Sequence, residues 1–327
     1  MNQLGFEAAC QSDWQKYDDI IGKVQKIRRG LPTEELYELP TLYQKICNHY
    51  ALALERSYSP GLLSDLHERV YRGHTLLYRK KGQFRWRFIQ FLFSRFPWQL
   101  RQQAGYFLVA TLLFLLPAIV MGVACTRNSD MIYSVLPAGQ VSSMEEMYDP
   151  SNKHLGRSKD RASDTDIQMF GFYILNNISI GFRTFAMGIL LGIGTVFALV
   201  FNGLVIGGVA GHLTGIGYTE TFWSFVSGHG SFELTAIVIC GAAGLRLARP
   251  LLAPGRFTRA HGLKVAGRES VELVMGAAFM LLVAAFIEAF WSSSTYVRYE
   301  IKYAVAGFLW LIVFLWLAYA GKNRLAH

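Results

Sequence analysis

Residues 221–248, TFWSFVSGHGSFELTAIVICGAAGLRLA, decide how this chain is read. The stretch is apolar for long enough to cross a bilayer, which takes about 20 residues of helix. Near its middle stand His229 and Glu233. Residues four apart on a helix share a face, so the imidazole and the carboxylate point the same way. Ionisable groups at that depth are costly and mark functional positions.

The chain around it has 327 residues, 52% hydrophobic and 17% charged, with 23 Phe, 16 Tyr and 7 Trp. Low charge with abundant aromatics suits a membrane protein carrying a water-exposed appendage. The net charge of +9 sits beside apolar spans. Orientation and anionic headgroups account for it there, so a lipid partner is expected and nucleic acid is not. Cys10, Cys47, Cys125 and Cys240 lie far apart without a CxxC pair, neither a disulfide framework nor a metal spacing. Residues 1–19 lack a basic segment followed by an apolar core, so no cleavable signal peptide is expected.

Residues 1–78 read as a small helical cytoplasmic domain. Trp14, Tyr17, Ile20, Ile21, Val24 and Ile27 recur at helical spacing. Gly30 and Pro32 break that pattern, and Pro40 is expected to break the next one. Further helices are expected from Leu42 and from Leu62. Tyr37, Tyr43, Tyr50 and Tyr58 are expected to fill the core, while His67 and His74 read as surface residues. Residues 79–103 then interleave Arg79, Lys80, Lys81, Arg85, Arg87, Arg95 and Arg101 with aromatics that include Trp86 and Trp98, without one acid. That pattern predicts a helix lying on an anionic membrane face, and it marks the cytoplasmic side.

Residues 104–327 read as the transmembrane domain. Spans are expected near 104–124, 167–182, 185–211, 222–247, 271–291 and 302–320, with an outer loop over 125–166. The long apolar run after residue 166 is divided at Arg183, because that residue suits an inner interface. Six spans place every basic loop, and both termini, in the cytoplasm. If 167–182 lay flat, five spans would put the basic loop 246–268 outside, which the positive-inside rule disfavours.

This arrangement puts Asn176, Asn177, Asn202, His229 and Glu233 in one layer, about 10–17 Å below the outer surface at 1.5 Å per residue. Polar groups in hydrocarbon seek each other. Three readings of the layer stay open: structural glue, an ion or solute pathway, or catalysis with Glu233 as general base. The HGxxE spacing offers one His and one Glu with no evident third ligand, so no metal and no cofactor is expected. GxSxG is absent, and Ser231 has no special setting. Glu272 and Glu288, near the two ends of the fifth span, read as solvated or snorkelling carboxylates.

The segments ILNNISIGFRTFAMGILLGIGT, VFNGLVIGG and GHGSFELTAIVICGAAGLRL, in that order, resemble the stage II sporulation protein M family of bacterial membrane proteins. ERSYSPGLLSDLHERVYRGHTLLYRK is similar to the cytoplasmic segment of the longer, non-sporulation branch. For the sporulation members the resemblance implies membrane scaffolds that recruit cell-wall hydrolases, and it brings no catalytic residues. The expectation is therefore an all-α, polytopic inner-membrane helical bundle acting as a scaffold or assembly component of the bacterial envelope. Envelope or regulatory proteins would dock on its N-terminal domain. A transporter or channel subunit using the polar layer is the first alternative, and an intramembrane hydrolase the second. Small residues at Gly203, Gly207 and Gly211 allow a homodimer or packing within one subunit.

Overall fold

The computed structural model describes residues 2–26, 33–77, 83–151, 163–294 and 297–322, and among these every regular element is helical. The chain divides into two compact units, Met1–Trp86 and Arg87–His327.

The first unit is a three-helix bundle of α1 (Gln3–Lys26), α2 (Thr33–Glu55) and α3 (Pro60–Leu77). Phe6, Cys10, Trp14, Tyr17, Ile20 and Ile21 form the buried stripe of α1. They pack on Leu39, Leu42, Ile46 and Ala53 of α2 and on Leu62 and Leu66 of α3. Pro40 lies inside α2 and does not end it. A proline in a helix interior costs about 3 kcal/mol. Burial of Leu39, Leu42 and Ile46 on one face outweighs that, at about 1.5–3 kcal/mol each. The Tyr17 hydroxyl donates to the Arg69 carbonyl (2.9 Å), and burial pushes its pKa upward. Gly73 faces this phenol; a Cβ there would collide with it. Trp14 Nε1 donates to His49 Nδ1 (3.2 Å), and burial holds the His49 pKa below its ordinary value. Of the tyrosine stripe, Tyr43, Tyr50 and Tyr58 pack against the core, whereas Tyr37 is exposed. His67 rests its ring on Tyr50.

The second unit opens with the end of α4 (Gln83–Gln90), a π turn at Phe91–Arg95, and α5 (Phe96–Gln102). Arg79, Lys80 and Lys81 lie outside the described residues. Trp86, at the end of the first unit, is exposed. The flat helix expected over 79–103 does not continue through its second half. Phe96 and Leu100 are fully buried, and the Phe96 ring occupies the space where Gly276 has no side chain. Arg95 pairs with Glu272, so that carboxylate is held at the surface as its position predicts. Arg101 donates to the last carbonyls of the final helix, Leu317 O (2.7 Å) and Ala320 O (2.6 Å). Trp98 is half-buried between these anchors. The segment is a wedge that locks the end of the bundle.

Then follow α6 (Ala104–Arg127), α7 (Ala138–Tyr148), α8 (Ser163–Ala186), α9 (Ile193–Gly215), α10 (Thr219–Leu252), α11 (Arg259–Phe286) and α12 (Tyr299–Tyr319). Among the described residues, five stretches are long and apolar enough to cross a membrane: α6, α9, α10, Arg259–Ser292 and α12. Helix α8, with 24 residues, has the length but is diluted by Asn176, Asn177 and Arg183. The second of the six expected spans, 167–182, thus lies in a full helix of lower hydropathy. Helix α10 is central, with 72% of its most apolar residues buried, and it packs against α6, α8, α9, α11 and α12.

Arg183 does not divide the second and third spans. Helix α8 runs to Ala186, and the chain turns at Met187–Gly192. There Leu191 and Gly192 adopt positive φ of 54° and 82°. Gly188 abuts the Gly244 carbonyl so closely that any Cβ would collide with it. Thr195 Oγ1 donates to Thr184 O (2.7 Å), tying the two sides of the turn. Backbone geometry sets this boundary, and the position of a cation does not.

Gly203, Gly207 and Gly211 meet the carbonyls of Phe114, Ala118 and Gly122. Steps of four on α9 thus match steps of four on α6, and the two backbones touch. These glycines join helices within the chain. The loop after α6 is also ordered over its described part. Ile132, Leu136 and Val141 pack with Met121 and Cys125, and His212 holds Glu145 of α7 (2.7 Å) and the Ser129 carbonyl (3.2 Å).

Candidate functional site

The polar residues of α10 point toward the far end of α11. The periodicity of α10 puts His229 and Glu233 on one face, with His229 Nε2 and Glu233 Oε2 3.7 Å apart. That is beyond hydrogen-bond length. Phe225, one turn earlier, sets its ring edge-on to the imidazole, with centroids 5.5 Å apart.

The third member comes from a local widening of the next helix. Beyond Phe286 the backbone adopts a π turn over Ile287–Ser292, a form that recurs at functional sites. It carries Glu288 and Ser292 to His229. Ser292 Oγ lies 3.0 Å from His229 Nδ1. Ligand atoms of His229, Glu233 and Glu288 all lie within 4.8 Å of one another. His229 is buried, and the two carboxylates are partly buried.

Helix α8 supplies the amides. Asn177, 1% exposed, donates from Nδ2 to Glu288 Oε2 (3.4 Å), and Asn176 Nδ2 donates to Asn177 Oδ1 (3.0 Å). Helix α12 supplies Lys302, equally enclosed, whose Nζ donates to the Ser292 carbonyl (2.8 Å). Four elements therefore converge: α8, α10, the π turn and α12. His229 stands ten residues into α10, about 15 Å from its first turn at 1.5 Å per residue.

Four of the five sequence-derived residues, Asn176, Asn177, His229 and Glu233, meet here. Asn202 differs: its Nδ2 donates to Ala198 O one turn back in α9 (2.7 Å). Its own helix provides that acceptor, so the bond cross-links nothing. Glu288, Ser292 and Lys302 are the members that sequence reasoning missed. Glu288 reads as a snorkelling end residue, and its helical position places it no deeper; the π turn and Asn177 bring it in. One signal was present: an acid closing one span and a lysine opening the next, 14 positions apart.

The electrostatics follow from atom types. With Nδ1–H assigned as donor to Ser292 Oγ, His229 Nε2 presents a bare lone pair to two carboxylates. Acceptors this close in a medium of low dielectric repel one another unless a proton or another positive species offsets their charge.

Comparison with known families supports a membrane assignment. The family model described as stage II sporulation protein M matches residues 110–293, more than half of the chain and all of the polar centre except Lys302. A second, described as a domain of unknown function (DUF8413), matches residues 5–79. No curated protein and no solved structure matches the chain.

Proposed function

We propose, from the premise that the chain belongs to the stage II sporulation protein M family, that its membrane unit handles a cation as a transporter or channel subunit. The protein is an integral, multi-pass membrane protein, with five helices long and apolar enough to span among the described residues. The observation that carries the reading is the convergence of His229, Glu233 and Glu288 inside those helices. Carboxylates in such a setting are too costly to serve as mere packing, and they mark ion pathways.

The proposed setting is the bacterial inner membrane, with both termini in the cytoplasm. Arg246, Arg249, Arg256, Arg259, Lys264 and Arg268 cluster where α10 passes into α11, the arrangement expected of a cytoplasmic loop. The centre then lies toward the outer face. Arg256→Cys should react with a membrane-impermeant thiol reagent only in opened vesicles; reaction in intact cells would invert the topology.

The direct test is cation flux into proteoliposomes of the purified chain, followed with proton- and metal-sensitive dyes. Glu233→Gln and Glu288→Gln should each reduce flux at least tenfold while the protein stays folded. Absence of flux in the wild type would overturn transport. A second reading, a scaffold of the cell envelope, draws support from the separately packed first unit with its own family match. It expects Glu233→Gln to keep full function in cells, and removal of the first unit to abolish it.

A further inference from the structure

We infer that the centre binds a divalent transition-metal ion, with His229 Nε2, Glu233 and Glu288 as its protein ligands. Asn177 and Ser292 hold two of those ligands in place. The inference rests on the reading that this centre takes a cation, and it adds which cation and how it is held.

The distances suit a metal ion bridging the three groups better than a direct His229–Glu233 hydrogen bond as they stand. A proton shared between His229 and Glu233 needs a heavy-atom separation below about 3.2 Å. The observed gap is 3.7 Å. Ligand atoms around a tetrahedral zinc with bonds of about 2.1 Å lie roughly 3.4 Å apart. A set already within 4.8 Å would have to draw together by up to about 1.4 Å on binding to reach that spacing.

The ligand types narrow the ion. Calcium takes 6–8 oxygen ligands, and magnesium keeps a shell of waters around one or two carboxylates. Imidazole nitrogen with carboxylate oxygens suits zinc and its first-row neighbours. Three protein ligands leave a further coordination position for water or a passing group.

The surrounding contacts have the form that metal sites use. A ligating histidine commonly directs its other ring nitrogen to an acceptor, which fixes the ring and the tautomer. With the proton on Nδ1, Ser292 Oγ is placed to do this for His229, at 3.0 Å. Ligating carboxylates are themselves hydrogen-bonded, as Asn177 does for Glu288 at 3.4 Å. Both partners are buried, with Ser292 and Asn177 each 1% exposed. Contacts of this kind come from helix α8 and the π turn after α11, so the ligand set is positioned by the bundle.

The test uses the full chain purified in detergent, stripped with chelator and titrated with Co²⁺ as a visible-absorption probe, then with Zn²⁺ in competition. The expected result is one ion per chain, with d–d bands that Zn²⁺ abolishes and that excess Mg²⁺ or Ca²⁺ leaves intact. Glu233→Gln and Glu288→Gln should each weaken binding at least a hundredfold. Ser292→Ala and Asn177→Ala, which leave every ligand in place, should weaken it about 10–100-fold. Asn202→Ala should bind as the wild type does, and a thermal melt without metal establishes that each variant is folded. A folded wild type that retains no ion, or a Glu233→Gln/Glu288→Gln double variant that binds normally, overturns the inference. Proton flux without metal binding overturns it while leaving transport standing. Stoichiometric metal without flux supports it and removes transport.

Discussion

Two helix seams in the membrane unit solve one problem by opposite means. Between α6 and α9 no side chain intervenes: Gly203, Gly207 and Gly211 let the backbones meet at the carbonyls of Phe114, Ala118 and Gly122. Between α10 and the end of α11, imidazole, carboxylate and hydroxyl groups face one another. Lipid offers no hydrophobic drive for helices to associate, so contact area or polar bonding must supply it. The first seam needs only packing. The second carries ionisable groups that packing does not require, and that excess distinguishes a site from a joint.

The largest expected effect breaks the first seam. Gly207→Leu puts side-chain atoms where the Ala118 carbonyl lies, and overpacking of this kind costs about 3 kcal/mol or more. Folded yield from membranes should collapse, whereas Gly307→Ala, with open space around its Cβ, should leave yield and melting temperature unchanged. Equal tolerance of both would show that the seam is not a tight contact.

Next in size is the charged joint at the opposite end of the bundle. Arg101→Ala removes two short bonds to the α12 carbonyls, and bonds to charged groups contribute about 1.5–3 kcal/mol each. The melting temperature should fall by several degrees, and α12 should become protease-sensitive at its C-terminal end. An unchanged melt would show that α12 is held by its apolar face alone.

A smaller effect sharpens the second seam. Lys302 places a fixed positive charge at the Ser292 carbonyl, and like charge disfavours a bound cation. Lys302→Met should tighten metal binding severalfold. Weakened binding in a folded variant would make the lysine an organiser of the ligands. Smallest is Asn202→Ala: its amide serves only its own helix, so stability should change by no more than about 0.5 kcal/mol.

Composition and periodicity made much of this legible. Apolar length identified the membrane helices, and the i, i+4 spacing put His229 and Glu233 on one face. What escaped had local physical causes. Pro40 looked like a stop because propensity counts one residue, while three buried aliphatics decide the helix. Arg183 looked like a boundary because charge is visible in sequence, whereas close approach of Gly188 to Gly244 is not. The Glu288 side chain arrives through a π turn, which interrupts the very 3.6-residue spacing used to place side chains on faces. Asn202 satisfied its amide locally, an outcome that composition does not distinguish from a cross-link.

That widened turn has a mechanical meaning. A π turn behaves as a single surplus residue spliced into a helix, and each residue of an α-helix advances about 100° around its axis. Relaxing Ile287–Ser292 to regular winding would swing Ser292 away from Glu288 by roughly that angle. The imidazole would lose its hydroxyl support while α10 stayed still. Rewinding of that one segment would take the proposed centre apart with no separation of helices.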